Sequence, residues 1–170
     1  MKSLSNKKFI NAIVFQLGWF GCILGGDSLA LPLLFVLLIF HYAFMVSQSA
    51  EWLLIAVVTL LGFIVDSFLT FFNVFQFSSV SLGPIPIWLI CLWCVFSTSL
   101  CHSLSWLRDK LILASLLGSI FGPISYLAGS KMADVVIVEP TIHSLLLIGL
   151  CWAILFPLMM IMVRRVYASR

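Results

Sequence analysis

Long apolar segments alternate with short polar stretches along the whole chain. Each apolar segment is close to the roughly 20 residues that an α-helix needs to cross the hydrocarbon core of a bilayer. Turn-forming and charged residues separate the segments, and two longer polar stretches, residues 74–83 and 130–141, are predicted loops. The pattern predicts an all-α bundle of six transmembrane helices that forms a single integral membrane domain over residues 1–170, with helices at 9–25, 29–46, 52–73, 87–106, 111–129 and 142–163.

The composition excludes an ordinary soluble protein. Of the 170 residues 63% are hydrophobic and only 9% are charged, and the mean hydropathy is +1.22. Soluble domains are about 45–50% apolar and about 25% charged. Since a soluble fold of this size has too little interior to hide so much apolar surface, lipid must surround most of the chain.

The distribution of Lys and Arg predicts the orientation in the membrane. If six helices alternate in direction, one side carries eight basic residues and the other carries only Lys131. Basic residues are enriched on the cytoplasmic side, so both termini should be cytoplasmic. Ser28-Leu29-Ala30 resembles a signal-peptidase site, but we expect an uncleaved first helix. The eight residues are Lys2, Lys7, Lys8, Arg108, Lys110, Arg164, Arg165 and Arg170.

One acidic residue, Asp66, interrupts the third apolar segment. Placing a carboxylate in hydrocarbon costs about 2.5 kcal/mol or more, so an intramembrane acid is a candidate functional residue that faces the bundle interior. Polar and small residues share its helix face at spacings of three and four. Two interpretations remain open: a ligand or proton site, and a structural seam between helices. The face comprises Thr59, Gly62, Asp66, Thr70 and Asn73.

Several other polar or aromatic residues fall in the same layer of the predicted bundle. At about 1.5 Å of rise per residue, Asp66 lies roughly 20 Å above the cytoplasmic start of its helix. Gly122-Pro123 in the fifth helix interrupts the backbone hydrogen bonds of that layer and favours a cavity there. We therefore predict a pocket in the outer half of the membrane, centred on Asp66. The candidate binding residues are Asp66, Thr70, Asn73, Trp93, Ser125 and Tyr126.

The three histidines do not predict a metal centre. His41 and His102 lie near the cytoplasmic ends of the second and fourth predicted helices and could meet, whereas His143 lies a membrane thickness away. The chain has neither an HxxxH nor an HExxH pattern. Nucleotide-binding and nucleophile-elbow motifs are also missing from the sequence. We predict no metal, no cofactor and no nucleic-acid partner.

Several short motifs together carry a resemblance that spans nearly the whole chain. In this order and combination the chain resembles a family of small bacterial inner-membrane proteins, the domain of unknown function 2878 family. The resemblance implies a multi-pass protein of the bacterial inner membrane. It also implies an association with fatty-acyl modification. The motifs are Asn11 with Gln16-Leu17-Gly18-Trp19-Phe20, Asp66, Pro86-Ile87-Trp88 with Leu92-Trp93-Cys94-Val95-Phe96, and Gly118 with Gly122-Pro123-Ile124-Ser125-Tyr126-Leu127-Ala128-Gly129.

Three functional hypotheses follow. The first is an accessory to membrane-lipid or fatty-acyl modification, in which Asp66 anchors a lipid headgroup or exchanges a proton, Thr70 and Asn73 hydrogen-bond the ligand and Tyr126 closes the site. The second is a small oligomeric transporter or permease subunit with Asp66 as its proton- or cation-coupling site. The third is a structural partner of another membrane protein. Because a lone acid has no paired base, we do not predict an enzyme.

Overall fold

The computed structural model describes residues 2–78 and 83–168, with side chains from residue 6 onward. Part of the first predicted loop, residues 79–82, lies outside the described residues, as do Arg170 and the side chain of Lys2. The described part of the chain is all-α apart from two short strands. The elements are α1 (Lys2–Phe40), α2 (Ala50–Phe71), β1 (Phe75–Phe77), α3 (Ile87–Leu100), α4 (Leu111–Ser130), β2 (Val135–Ile137) and α5 (Thr141–Ala168).

α1 is folded back on itself at Gly26, where φ is 55° and ψ is −158°. A Cβ atom at Gly18 would touch Leu37, and one at Gly21 would touch Leu33. In a straight helix residues 18 and 37 would lie about 28 Å apart, so the two halves of α1, residues 2–25 and 27–40, must run antiparallel. Glycine accepts a positive φ without steric cost, which explains why the bend falls within the turn predicted between the first two helices.

Two glycines bring α4 close to α5. A Cβ atom at Gly118 would lie 2.7 Å from the backbone oxygen of Trp152, and one at Gly122 would overlap the Trp152 ring. The hydroxyl of Ser115 also donates a hydrogen bond of 2.7 Å to the carbonyl of Ala153. Small residues spaced by four let helix backbones approach in a membrane, and here they form the α4–α5 contact.

α3 lies at the centre of the bundle, packed against α1 and α2 and also touching α5. It ends at Leu100, whereas the sequence predicts a helix through residue 106, so that boundary is wrong. Three consecutive hydroxyls at this end, Ser97, Thr98 and Ser99, donate to carbonyls three residues back, at 2.6–2.7 Å. Such side-chain bonds compete with the helical ladder. The chain continues through a turn into a short 3₁₀-helix, Ser105–Leu107.

The two longer predicted loops pair with each other. β1 and β2 are antiparallel, with Phe75 opposite Ile137 and Phe77 opposite Val135. The prediction of simple loops at residues 74–83 and 130–141 is therefore incomplete. The pairing joins the end of α2 to the segment between α4 and α5, and it buries Phe75 completely.

Polar contacts show which helix ends lie together at each end of the bundle. At one end Ser103 donates to the side chain of Asn11, and the guanidinium of Arg164 donates to the carbonyl of Arg108 at 2.6 Å. This end, termed the basic end, holds the start of α1, the segment after α3 and the end of α5. At the opposite end, near the bend of α1, Asp27 accepts a hydrogen bond of 2.9 Å from the backbone of Trp88.

The outer surface of the bundle is strongly apolar. Large hydrophobic side chains on α1, α2, α4 and α5 are more than half exposed, far beyond the apolar patches of soluble monomers. Within the described residues, four helices are long and apolar enough to cross a membrane, whereas α3 has 14 residues and is shorter. Surface and helix length together indicate a membrane protein. Examples of the exposed residues are Leu17, Phe35, Leu60, Phe68, Ile112, Phe121, Leu150 and Ile154.

Candidate functional site

Asp66 lies at the junction of three helices and is completely buried. The indole N–H of Trp93 on α3 donates to its Oδ2 atom at 2.6 Å. The hydroxyl of Tyr126 on α4 donates to its Oδ1 atom at 2.6 Å. Each carboxylate oxygen thus has a short hydrogen bond to a rigid aromatic side chain. This arrangement offsets the cost of burying the acid and ties α2, α3 and α4 together.

A glycine one turn before Asp66 makes room for Trp93. A Cβ atom at Gly62 would overlap the indole ring, so the ring lies directly on the backbone of α2. On its other side the indole stacks on Trp152 of α5, with ring centroids 5.2 Å apart and an interplanar angle of 10°. The side chain of Trp93 is therefore held by a hydrogen bond, a backbone surface and a stacked ring.

A large cavity of about 460 Å³ lies beside this junction. The volume is within the range of about 300–1,000 Å³ that is typical of small-molecule sites. Trp93, Ser125 and Tyr126 line it, whereas Asp66 does not. The two side chains that donate to the Asp66 carboxylate are thus part of the cavity wall. Other lining residues from α1, α3, α4, α5 and the strand pair include Phe15, Gln16, Trp19, Phe75, Trp88, Phe96, Phe121, Ile124, Ala128 and Trp152.

The cavity opens through the surface of the bundle between α1 and α4. Phe121 and Ile124 line it and are also 60% and 52% exposed. A hydrogen bond of 3.2 Å from the indole of Trp19 to the hydroxyl of Ser125 bridges the two helices. Gln16, three residues before Trp19, is exposed and adds an amide to a mostly apolar lining. A ligand in the cavity would meet aromatic rings and very few polar groups.

The structure brings four of the six predicted binding residues together. Trp93 and Tyr126 each donate a hydrogen bond to Asp66, and Ser125 adjoins Tyr126 in the cavity wall. The hydroxyl of Thr70 instead donates to the backbone carbonyl of Asp66 at 2.8 Å. Asn73 terminates the helix with a φ of 55° and accepts a hydrogen bond from Gln76. Thr70 and Asn73 do not belong to the described cavity lining.

Sequence reasoning missed the contributions of α1 and α5 to the cavity. Gln16 and Trp19 of α1 line the cavity, although neither is among the predicted binding residues. Trp152 also lines it and stacks on Trp93. In a chain this rich in aromatic residues, a tryptophan in the middle of a helix is a weak signal for a binding site. The helical pattern predicts how deep a residue lies in the membrane, but not which neighbouring helix its side chain faces.

A second buried polar cluster lies near the basic end. His41, Glu51 and His102 each offer one ligand atom, and these atoms lie within 4.8 Å of one another. The rings of His41 and His102 are 5.2 Å apart, so the two histidines do meet. Among the described residues, these are the ones that could hold a metal ion. Glu51 escaped sequence analysis because an acid in the first turn of a helix is ordinary.

The comparisons with known proteins identify a family without a known function. Residues 8–158 match the family model described as protein of unknown function (DUF2878). Because the match covers most of the chain, the protein belongs to this family, and the resemblance noted from its motifs is confirmed. No curated protein and no solved structure matches the chain.

Proposed function

We propose that this member of the DUF2878 family is a six-pass protein of the bacterial inner membrane with both termini in the cytoplasm. The bend at Gly26 supports this number, because it divides α1 into two antiparallel halves. α3 is about 21 Å long at 1.5 Å per residue, and the segment through Leu107 extends its path. The predicted bias of eight basic residues against one supports the orientation.

Fusions of reporter domains test this topology. Alkaline phosphatase is active only outside the cytoplasm. Green fluorescent protein fluoresces only in the cytoplasm, because it does not become fluorescent when it is exported in unfolded form. We expect fluorescence for fusions after residue 48 and after the C-terminal residue, and phosphatase activity for fusions after residues 27 and 132. Phosphatase activity in the fusion after residue 48 would contradict the proposal that each half of α1 crosses the membrane.

We further propose that the cavity binds the acyl chain of a membrane lipid or fatty acid, as an accessory to lipid or fatty-acyl modification. The single observation that carries this proposal is an aromatic cavity of about 460 Å³ that opens through the apolar outer surface. In a bilayer that opening faces lipid tails, so an apolar chain can enter without passing through water. Burial of apolar surface supplies about 25 cal/mol per Å².

In this proposal the polar residues divide into two roles. The amide of Gln16 and the hydroxyl of Ser125 are available at the cavity wall for the polar end of a ligand. Asp66 acts from behind the wall, where it fixes the orientation of Trp93 and Tyr126. Asp66 is then a positioning residue, and ligand contacts belong to the two aromatic side chains that it holds.

Photo-crosslinking in membranes tests the acyl-chain site. Cells or vesicles receive a phospholipid or fatty acid with a diazirine in its acyl chain, and mass spectrometry maps the adducts after irradiation. We expect adducts concentrated on lining residues of α1 and α4, such as Phe15 and Phe121. Ala128→Phe places a ring at the cavity wall and should remove most of them.

Ala12→Phe is the matched control, since Ala12 is exposed on α1 and does not line the cavity. It makes the same change in size and hydrophobicity on the outer surface, and it should leave the adduct pattern intact. Adducts spread evenly over all exposed faces, or equal in the two variants, would contradict the site. A lipidome of a deletion strain, restored with wild type or Ala128→Phe, extends the test to the modification itself.

The buried acid also favours a second candidate function, a small oligomeric transporter in which Asp66 couples transport to protons or cations. This hypothesis predicts pH-dependent uptake that Asp66→Asn uncouples. It also predicts that the deletion strain has an unchanged lipidome.

A structural role beside another membrane protein would instead yield one stoichiometric partner on mild detergent extraction. Lipid crosslinks confined to the cavity distinguish the leading proposal from both.

A further inference from the structure

We propose that His41, Glu51 and His102 form a binding site for a divalent transition-metal ion of the Zn²⁺ class, at the basic end of the bundle. The ligand atoms are Nε2 of each histidine and Oε2 of Glu51. They come from three different elements. His41 begins a π-helical turn after α1, Glu51 lies in the first turn of α2, and His102 follows the end of α3.

The distances among these atoms suit one shared ion. Oε2 of Glu51 lies 3.0 Å from Nε2 of His102 and 3.6 Å from Nε2 of His41. Two ligands at about 2.1 Å from a tetrahedral metal lie about 3.4 Å apart. All three atoms lie within 4.8 Å of one another, so small side-chain rotations would bring the two nitrogens to the same spacing.

An unsatisfied nitrogen at the centre of the cluster points to a missing partner. Nε2 of His41 is the one buried side-chain nitrogen or oxygen atom in the described part of the chain that has no hydrogen-bond partner. His41 is only 3% exposed, so bulk water does not solvate it. Buried polar groups are nearly always paired. A metal ion would take the lone pair of this nitrogen and remove the deficit.

Glu51 is already oriented to present one oxygen to the histidines. Its Oε1 atom accepts two hydrogen bonds from Ser47, one from the backbone N–H at 3.0 Å and one from the hydroxyl at 2.7 Å. Oε2 is left to face both imidazoles. Such hydrogen bonds from surrounding residues fix the geometry of metal-binding carboxylates. The π-helical turn that starts at His41 is a rare element found disproportionately at functional sites.

The donor set selects the class of metal. Two imidazoles and one carboxylate suit Zn²⁺ and neighbouring first-row ions, whereas Ca²⁺ and Mg²⁺ prefer oxygen ligands throughout. Three protein ligands leave a fourth position for water or a substrate oxygen, as in catalytic zinc sites. The ion would also join the ends of α1 and α3 to the start of α2. This proposal does not rest on lipid binding in the cavity.

Zinc titration of the chelator-treated full-length protein in detergent tests the site. We expect the wild type to bind one Zn²⁺ per chain, measured by equilibrium dialysis and elemental mass spectrometry. Each of His41→Gln, Glu51→Gln and His102→Gln should bind more than about 100-fold more weakly, since the loss of even a supporting residue costs about 10–100-fold. Ser47→Ala keeps all three ligands and should fall within that smaller range.

His143→Gln is the matched control, because His143 is exposed at the start of α5, near the opposite end from the cluster. It should bind Zn²⁺ as the wild type does. Wild type without saturable binding, or ligand variants with unchanged affinity, would overturn the proposal.

A spectroscopic measurement covers the case in which a ligand variant fails to fold. Wild type loaded with Co²⁺ should give the visible absorption bands of a tetrahedral site with nitrogen and oxygen ligands. X-ray absorption should detect no sulfur ligand, although Cys101 lies close to the cluster. Sulfur scattering would place the ion elsewhere and refute the site.

Discussion

Two of the buried polar sites among the described residues, the Asp66 junction and the cluster of His41, Glu51 and His102, satisfy their hydrogen bonds to different degrees. At the Asp66 junction both carboxylate oxygens accept short bonds from aromatic donors. At the histidine cluster Glu51 is equally well bonded, but Nε2 of His41 is buried without a hydrogen bond, 3.6 Å from Oε2 of Glu51. Where every polar atom of a buried group has a hydrogen bond, a structural role is enough to explain why the group is there. An incomplete set at the same degree of burial calls for a ligand, and this difference separates a positioning residue from a candidate metal site.

The largest expected effect comes from breaking the completed site with Asp66→Ala. The variant leaves the indole N–H of Trp93 and the hydroxyl of Tyr126 buried without an acceptor. Each orphaned group costs about 1–3 kcal/mol, so the free energy of unfolding should fall by about 2–6 kcal/mol. We expect the lower part of this range, because helices that separate within a membrane still find other partners.

Reversible unfolding in mixed detergent measures this loss, and Asp66→Asn provides the control. Asparagine keeps one carbonyl oxygen as an acceptor, but its amide group faces the other donor. The loss should therefore be about half that of Asp66→Ala. Equal losses for the two variants would contradict a role for these hydrogen bonds. Unchanged stability for both would show that Asp66 does not hold the junction.

At the cluster of His41, Glu51 and His102 we predict that a bound metal ion stabilises the folded protein. Zn²⁺ at about 100 times its dissociation constant should raise the free energy of unfolding by about 2.7 kcal/mol. His41→Leu should abolish this gain but leave metal-free stability unchanged or slightly higher, because it replaces an unpaired buried nitrogen with an apolar group. Thermal unfolding with and without Zn²⁺ measures both quantities.

His102→Leu is the matched contrast to His41→Leu. It also removes a ligand, but it takes a hydrogen-bond partner at 3.0 Å from Glu51. The metal-free variant should therefore lose about 1–3 kcal/mol, the cost of an orphaned buried group. If His41→Leu destabilises the metal-free protein just as much, then His41 has a structural partner and the contrast between the two histidines fails.

An effect of similar size is expected where packing supports the completed site. Gly62→Ala places a Cβ atom in overlap with the indole ring of Trp93, and overpacking of this kind costs about 1–3 kcal/mol. The Asp66–Trp93 hydrogen bond should lengthen, which near-ultraviolet circular dichroism of the tryptophans would report. Gly83→Ala is the control, since a Cβ atom there meets nothing within 4 Å. Comparable losses in both variants would point to backbone effects rather than to the indole contact.

The helical architecture could be predicted from sequence because the length of an apolar segment is a strong signal for a helix in a membrane. The bend at Gly26 falls where glycines and an acid interrupt the apolar run. The strands could not be predicted, since Phe75–Phe77 and Val135–Ile137 have three residues each and pair across about sixty intervening residues. The early end of α3 depends on three hydroxyls that bond back to the helix, which a hydropathy pattern does not weigh.

The candidate site was predictable in depth but not in detail. The helical rise predicts that Trp93 lies at the depth of Asp66 and that Tyr126 lies one residue higher. The rise does not specify which side chains face one another, so Asp66 was predicted to contact ligand although two donors cover it. Glu51 and the two histidines come from three helix ends, and their meeting depends on tertiary packing that spacing along the chain does not encode.

The smallest predicted effect concerns the bond that bridges the opening of the cavity. The Trp19–Ser125 hydrogen bond is long, at 3.2 Å, and only partly buried. Hydrogen bonds between transmembrane helices contribute about 0.6 kcal/mol on average, so a double-mutant cycle with Trp19→Phe and Ser125→Ala should give a coupling of about that size. Because the bond holds α1 against α4 beside the cavity, Ser125→Ala should also speed the exchange of a crosslinkable lipid. A weak coupling energy together with faster lipid exchange in Ser125→Ala would mark this bond as a gate, in contrast to the fixed hydrogen bonds of Asp66. A coupling energy above about 2 kcal/mol would instead make the Trp19–Ser125 bond part of the same rigid junction.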